Sequence, residues 1–358
     1  MSGAWLFQQD DVTLFDDSDE HVALVLRTLR IDERRWRKTL SAYASHWSPA
    51  LTTVDARLAA LRDAFAKAMP PGEANVPHRA TEQCPACHAV ALAPRYARTR
   101  RDAPGAAFVY THCSECGHGT MLDGHVPLEA YASPTYYQTQ NAAGVGYADY
   151  GKEREYRETK GRRLIEEVLP FLAVPATSLL EVGSGFGFTR AAAELMGLAT
   201  FGVDLNPAAA DAARELYAMD TFVGALSDAL TAGAVRLGEW DITLYNFVLE
   251  HVSDPDRELR DAAATLRPGG ALVLVIPSMD AREVDVFGGS YRSFRSDHLH
   301  MFSRRSITHY LARAGLRVDS ITTTCSAHLF RGFLDDAELR ELYERGEGPD
   351  MTVIARRR

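Results

Sequence analysis

From residue 161 onward, short apolar runs alternate with stretches whose apolar residues recur at helical spacing. The runs 178–183 (SLLEVG), 200–205 (TFGVDL), 221–225, 241–247 (DITLYNF), 271–276 (ALVLVI), 316–324 and 351–356 (MTVIAR) predict seven strands. Helices are predicted between them at about 188–197, 207–218, 255–267, 304–314 and 335–345. That alternation is the pattern of a doubly wound α/β sheet. Asn206–Pro207 marks one helix start, the asparagine placed to cap and the proline at the first helical position. Upstream the pattern differs. Val22, Leu26 and Leu29, then Leu58, Leu61, Phe65 and Met69, fall at helical spacing, and Pro70–Pro71–Gly72 closes the last of these helices. Between the two patterns lie a cysteine-bearing segment and a tyrosine-rich stretch with little periodicity. The expected organisation is a helical N-terminal region (1–78), a small metal-binding segment (80–122), a linker or lid (123–160) and an α/β domain (161–358).

Composition narrows the function class. The 358 residues are 46% apolar and 24% charged, the balance of an ordinary globular protein with a real core. A net charge of -9 counts against nucleic acid as the partner of a broad basic surface. The local run Arg95, Arg98, Arg100 and Arg101 reads as a solvated loop. No apolar run reaches the roughly 18 residues of a membrane span. The acidic start MSGAWLFQQDDVTLFDDSDE lacks a basic n-region and an apolar h-region, so a cytoplasmic location is expected.

Candidate chemistry begins at Glu181-Val182-Gly183-Ser184-Gly185-Phe186-Gly187, which follows an apolar strand and opens a helix. Gly183, Gly185 and Gly187 allow a tight turn and close approach of a ligand. Asp204 ends the next strand, where a carboxylate accepts hydrogen bonds from the ribose hydroxyls of an adenosine. A dinucleotide site would show G-x-G-x-x-G; here the spacing is G-x-G-x-G, with Glu181 ahead of it. S-adenosylmethionine (SAM) has no phosphate for a helix N-terminus to hold, and Glu181 suits its cationic end.

Cys84-Pro85-Ala86-Cys87 and Cys113-Ser114-Glu115-Cys116 are two CxxC knuckles separated by 25 residues. Such a pair matches a zinc ribbon, four thiolates forming a closed structural Zn2+ site. Cys325 is left over on a predicted strand and reads as a buried apolar residue.

Five blocks together resemble the class I SAM-dependent methyltransferases over residues about 160–358. They are E-V-G-S-G-F-G (181–187), V-D-L-N-P (203–207), N-F-V-L-E-H-V-S-D-P (246–255), L-R-P-G-G-A-L-V-L-V-I-P (266–277) and D-H-L-H-M-F-S (297–303). The resemblance implies a Rossmann-like seven-stranded methyltransferase sheet. It further implies that the glycine turn holds the methionine part of SAM and that Asp204, with Leu205 beside it, holds the ribose. Gly224, Ala225 and Leu226 would line the adenine, with Asp228 as the nearest acid, and Asn246 would face the crevice at the end of the fourth strand.

With the ribbon and the tyrosines added, the chain resembles bacterial natural-product and sugar-modification methyltransferases, including deoxysugar C-methyltransferases with an N-terminal zinc module. That likeness puts Glu250, His251 and a tyrosine among Tyr136, Tyr137, Tyr147 and Tyr150 at the methyl acceptor. His251 paired with a carboxylate suits proton abstraction near neutral pH; the other reading is that Glu250–His251 fixes the loop and caps the next helix. The tyrosines either hydrogen-bond an acceptor or pack on the sheet. In an extended segment His298 and His300 would share one face. A substrate-pocket or packing role is expected for them rather than a metal, because no third ligand stands at a telling spacing. The expected function is methyl transfer to a small-molecule acceptor in biosynthesis. Two readings stand beside it: an RNA-base methyltransferase gripping RNA through the ribbon, and a non-catalytic SAM-binding scaffold. A homodimer is an open expectation.

Overall fold

The computed structural model describes residues 53–68, 82–99, 107–122, 128–138, 149–172, 174–324 and 334–357, with isolated positions 34, 37, 38, 41, 51, 146, 147 and 330. The helix expected at Val22–Leu29, Arg100, Arg101 and Cys325 lie outside the described residues. Among the described residues no helix is long and apolar enough to cross a membrane.

The chain order starts with helix α1 (Val54–Ala68) and the short strands β1 (Glu82–Gln83), β2 (Val90–Thr99), β3 (Ala107–Cys113) and β4 (Gly119–Thr120). A one-turn helix α2 (Leu128–Tyr131) and the long helix α3 (Arg154–Val168) lead into the sheet. There follow β5 (Ser178–Val182), α4 (Phe188–Leu195), β6 (Ala199–Asp204), α5 (Pro207–Tyr217), β7 (Thr221–Val223), α6 (Leu226–Thr231), β8 (Trp240–Asn246), α7 (Pro255–Thr265) and β9 (Leu266–Pro277). The remainder is α8 (Arg282–Phe287), β10 (His300–Met301), α9 (Arg304–Arg313), β11 (Leu316–Thr324), α10 (Asp336–Glu344) and β12 (Asp350–Arg357).

Seven strands form one sheet in the order β11-β12-β9-β8-β5-β6-β7. Neighbours from β7 to β9 run parallel, while β12 lies antiparallel to both β9 and β11. This is a Rossmann-like fold. Strands such as β8, with five consecutive buried residues, are covered on both faces, which is why they read as unbroken apolar runs. The strand order reverses between β5 and β8, so a crevice opens at their C-terminal ends. Asn206 caps α5 as expected, its side chain accepting the N–H groups of Ala208 at 2.9 Å and Ala209 at 3.3 Å.

Helix α3 starts inside the segment expected as a linker. Its sequence, REYRETKGRRLIEEV, buries only Gly161, Ile165 and Val168, too thin an apolar stripe to stand out from the surrounding polar residues. Gly161 is the contact point with α4: a Cβ there would lie 2.8 Å from the Thr189 Cα.

The cysteine segment packs onto the sheet domain. Strands β1, β2 and β3 form a small antiparallel sheet, and β4 pairs with β10, Thr120 opposite His300 and Gly119 opposite Met301. Tyr96, Tyr110 and Met121 share a buried cluster with Phe294, Leu299 and Met301, with the Tyr110 and Phe294 rings stacked 4.5 Å apart.

The close approach of α3 and α4 yields a test. Gly161→Ala should gain about 1 kcal/mol of helix propensity but lose roughly 1–3 kcal/mol to overpacking against backbone. The unfolding midpoint in denaturant should therefore fall, and an unchanged or higher midpoint would show that the helices do not pack this closely.

Candidate active site

Strand β5 delivers its glycine turn into the crevice. Gly183, Gly185 and Gly187 all adopt positive φ, at +72°, +50° and +79°. At Gly183 a Cβ would come within 2.3 Å of the Val248 side chain, so glycine is required by space as well as by conformation. The turn is anchored by Gly183 N–H donating to Val203 O at 2.7 Å.

Asp204, at the end of β6, stands against this turn. Its Oδ2 accepts the Gly185 N–H at 2.7 Å and its Oδ1 accepts the Asn206 N–H at 2.8 Å. The Tyr137 hydroxyl donates to Oδ2 at 3.3 Å. Burial raises the Asp204 pKa, and these three donors work against that rise. Glu181 is also buried, with Oε2 unpartnered. Burial pushes its pKa up to about 8, against the pull of Arg190. Leu205 and Asn246 sit half-buried at the strand ends, Ala225 is half-buried and Leu226 is buried. Asp228 is exposed and spends Oδ2 on the Ala225 N–H at 3.1 Å.

At the end of β8 the backbone departs from ordinary conformation: Phe247 has φ +57°, rare for a non-glycine residue. Leu249–His251 then form a single 3-10 turn. Glu250 is fully buried and neither carboxylate oxygen has a partner among the described residues; burial drives its pKa up to about 8. The expected Glu250–His251 pairing is absent. Instead, His251 Nδ1 lies 2.7 Å from the Asp297 carbonyl oxygen and 3.3 Å from the Tyr131 hydroxyl. Donation to that carbonyl fixes the tautomer and leaves Nε2 with its lone pair. Burial lowers the His251 pKa, with the nearby Asp297 opposing. Burial would raise Asp297, but Arg295, whose Nε and Nη2 donate to its carboxylate at 2.9 and 3.0 Å, brings it well below the usual carboxylate range.

His298 joins this corner, its ring 4.8 Å from that of His251. His300 does not. It stacks on His118, with His300 Nδ1 3.3 Å from His118 Nε2. The expected shared face fails because the segment is a turn until the strand begins at residue 300. Tyr136, Tyr137, Tyr147 and Tyr150 form a continuous aromatic layer. Tyr137 stacks on Tyr147 at 5.7 Å, and the Arg157 guanidinium lies 4.2 Å from the Tyr150 ring centre. The layer runs from Gly185, where a Cβ would meet the Tyr150 hydroxyl at 3.0 Å, to Tyr131 at the His251 ring. Tyr131, Arg295 and Asp297 escape sequence reasoning because their contacts run through a hydroxyl, a backbone carbonyl and a salt bridge, none of which leaves a spacing motif.

The four cysteines converge at the other end of this segment. Their sulfurs all lie within 4.8 Å of one another, with Cys84–Cys116 at 3.6 Å and Cys87–Cys113 at 3.7 Å. In each knuckle the residue after the second cysteine has positive φ, His88 at +62° and Gly117 at +75°, and donates its N–H back to the first cysteine's carbonyl. Four soft donors in two such turns fit a tetrahedral Zn2+ site.

Residues 153–321 match the family described as a methyltransferase domain. The ubiquinone biosynthesis O-methyltransferases of Xanthomonas campestris pv. campestris strains are 30% identical over 113 residues, which is 31% of this chain and 47% of theirs. The chain thus spans about half the length of the curated relatives it matches. Geranyl diphosphate C-methyltransferase from Streptomyces coelicolor A3(2) is similar at a TM-score of 0.43 and 18% identity, covering 66% of this chain and 88% of that one. A SAM-dependent methyltransferase from Archaeoglobus fulgidus is similar at a TM-score of 0.41 and 19% identity, covering 57% and 98%.

The buried Glu181 generates a pH test. Its ordinary pKa is 4.5, and in the fold it rises to about 8. The folded form therefore keeps a proton that the unfolded chain has released, and stability present below the lower value is lost as pH rises through the higher one. Glu181→Gln cannot ionise. Its Tm relative to the parent should climb between about pH 5 and about pH 8, and a difference that stays flat would refute the buried, unsatisfied acid.

Proposed function

Since residues 153–321 match the family described as a methyltransferase domain, we propose that the protein is a SAM-dependent methyltransferase acting on a small-molecule acceptor bound at the Glu250–His251–His298 corner. The observation that carries the reading is the Asp204 carboxylate, held 2.7 Å from the Gly185 N–H at the mouth of a three-glycine turn.

SAM would supply a methyl group on a positively charged sulfur. Asp204 accepts the ribose hydroxyls, Glu181 offers negative charge to the cationic end, and Ala225 and Leu226 flank the adenine. The turn at Gly183, Gly185 and Gly187 gives the backbone the clearance this requires. The tyrosine layer keeps water from the crevice: Tyr137 and Tyr150 stand at Asp204 and Gly185 on the SAM side, and Tyr147 and Tyr136 continue it toward Tyr131 and the acceptor. His251, kept neutral by burial and oriented through Nδ1 by the Asp297 carbonyl, presents Nε2 to take the acceptor's proton. His298 and Glu250 wall the acceptor on the dry side. Supporting a small acceptor are the burial of Glu250 and His298, the net charge of -9, and a curated relative named for ubiquinone biosynthesis. We place the acceptor among natural-product or sugar intermediates.

Cys84, Cys87, Cys113 and Cys116 would hold a structural Zn2+ whose four thiolates leave no open position. Its task is to fold a segment too small to bury a core of its own.

Three measurements test this. Asp204→Ala should weaken SAM binding more than about tenfold, since it removes charged hydrogen bonds; unchanged affinity would remove the basis of the cofactor assignment. His251→Ala should cut kcat by roughly 10²–10⁴ while leaving SAM affinity nearly intact, and full turnover would reduce His251 to a loop residue. Cys87→Ser should lower the zinc content of the purified protein and its thermal stability together; stability that ignores the metal would overturn the structural role.

A further inference from the structure

The corner behind the tyrosine layer holds a second set of metal-ligand residue types. Glu250, His251 and His298 each offer one ligand atom, and these atoms lie within 4.8 Å of one another. Glu250 is fully buried with both oxygens unpartnered, and His298 is buried with Nδ1 unpartnered. Leaving two such groups dry and unsatisfied is costly unless something pairs with them. The His251 imidazole is held by backbone through Nδ1, at the Asp297 carbonyl. That is how ligating histidines are usually oriented, one nitrogen fixed and one aimed at the ion.

We propose that Glu250, His251 and His298 bind a first-row divalent cation, distinct from the four-cysteine site, that orients and acidifies an oxygen acceptor. The inference rests on the proposed acceptor corner and deepens it. Two imidazoles and one carboxylate leave coordination positions open, unlike the closed thiolate set. Donors about 2.0–2.2 Å from a shared ion sit roughly 3–4 Å apart, so a small convergence of these side chains completes the site. The fitting acceptor is a compound with two neighbouring oxygens, a hydroxyl beside a second hydroxyl or a carbonyl, able to chelate. With the cation in place His251 Nε2 serves as ligand. The cation lowers the pKa of the bound hydroxyl, whose proton is released to bulk water as the acceptor enters. The acceptor oxygen then forms its bond to the methyl carbon as the carbon–sulfur bond of SAM breaks, giving the methyl ether and S-adenosylhomocysteine.

The test counts metal in the full-length protein after equilibration with Co2+ and removal of unbound ion. Wild type should retain two equivalents. Glu250→Gln and His298→Asn should each retain one and bind the second at least about tenfold more weakly, while Cys87→Ser should lose the other. SAM affinity, measured in the same variants, checks that they are folded. A wild type that retains a single equivalent overturns the proposal, as does a second equivalent that survives both Glu250→Gln and His298→Asn. Either result with SAM binding intact leaves the methyltransferase reading standing with His251 as the free base. Two equivalents without SAM binding would instead sink that reading and keep the metal site.

Discussion

One residue's backbone joins the two halves of the molecule. The Leu299 N–H donates to the Glu250 carbonyl at 2.7 Å, and the Leu299 carbonyl accepts the Met121 N–H at 3.0 Å. Buried backbone groups must be paired, so the segment from Asp297 to Met301 can take its place only if the cysteine segment lies on one side and the Leu249–His251 turn on the other. The next two residues extend the tie, His300 and Met301 pairing with β4. The Tyr110 hydroxyl adds bonds to the carbonyls of Arg295 at 2.6 Å and His298 at 2.7 Å. The Ser303 hydroxyl donates to the Cys116 carbonyl, and Arg313 reaches both Pro85 and Asp256. The four-cysteine knuckles are therefore part of the wall that positions His298 and, through Asp297, His251.

Around the crevice the acids fall into two classes, separated by what faces them. Asp204 has backbone N–H groups and a tyrosine hydroxyl; Asp297 has the Arg295 guanidinium. Both are furnished to carry charge. Glu181 and Glu250 are equally buried but keep unpartnered oxygens, and burial leaves them favouring the protonated form. Of these two acids, Glu181 lies on β5 just ahead of the glycine turn and Glu250 beside the histidines in the turn after β8. Each marks a place where positive charge from outside the chain would be welcomed.

The sheet was legible because parallel strands covered on both faces leave continuous apolar runs, and all seven predicted strands recur within a few residues. The helix start at Asn206–Pro207 was legible because capping chemistry is local. The four cysteines were legible because paired short spacings leave little else to mean. Helix α3 was hidden by its polarity, since one glycine and two aliphatics do most of its packing. His298 and His300 were read with strand parity, but a turn precedes His300 and sends it toward His118 instead. The partners of His251 were invisible for a deeper reason: Asp297 holds it through a carbonyl that every residue possesses. What distinguishes that position is the loop path, set by contacts from more than a hundred residues earlier in the chain.

The placement of β12 bears on how the chain reaches this state. The strand inserts between β11 and β9, pairing Thr352 with Val275 on one side and with Thr322 on the other. Both partners are synthesised before it, so β9 waits with an open hydrogen-bonding edge while some seventy residues of chain emerge. Such non-local pairing slows folding and leaves an apolar edge available to foreign strands in the interval. During synthesis, the vulnerable species is accordingly a sheet missing one internal strand, and a chaperone that shields the β9 edge would act where the fold is least able to protect itself.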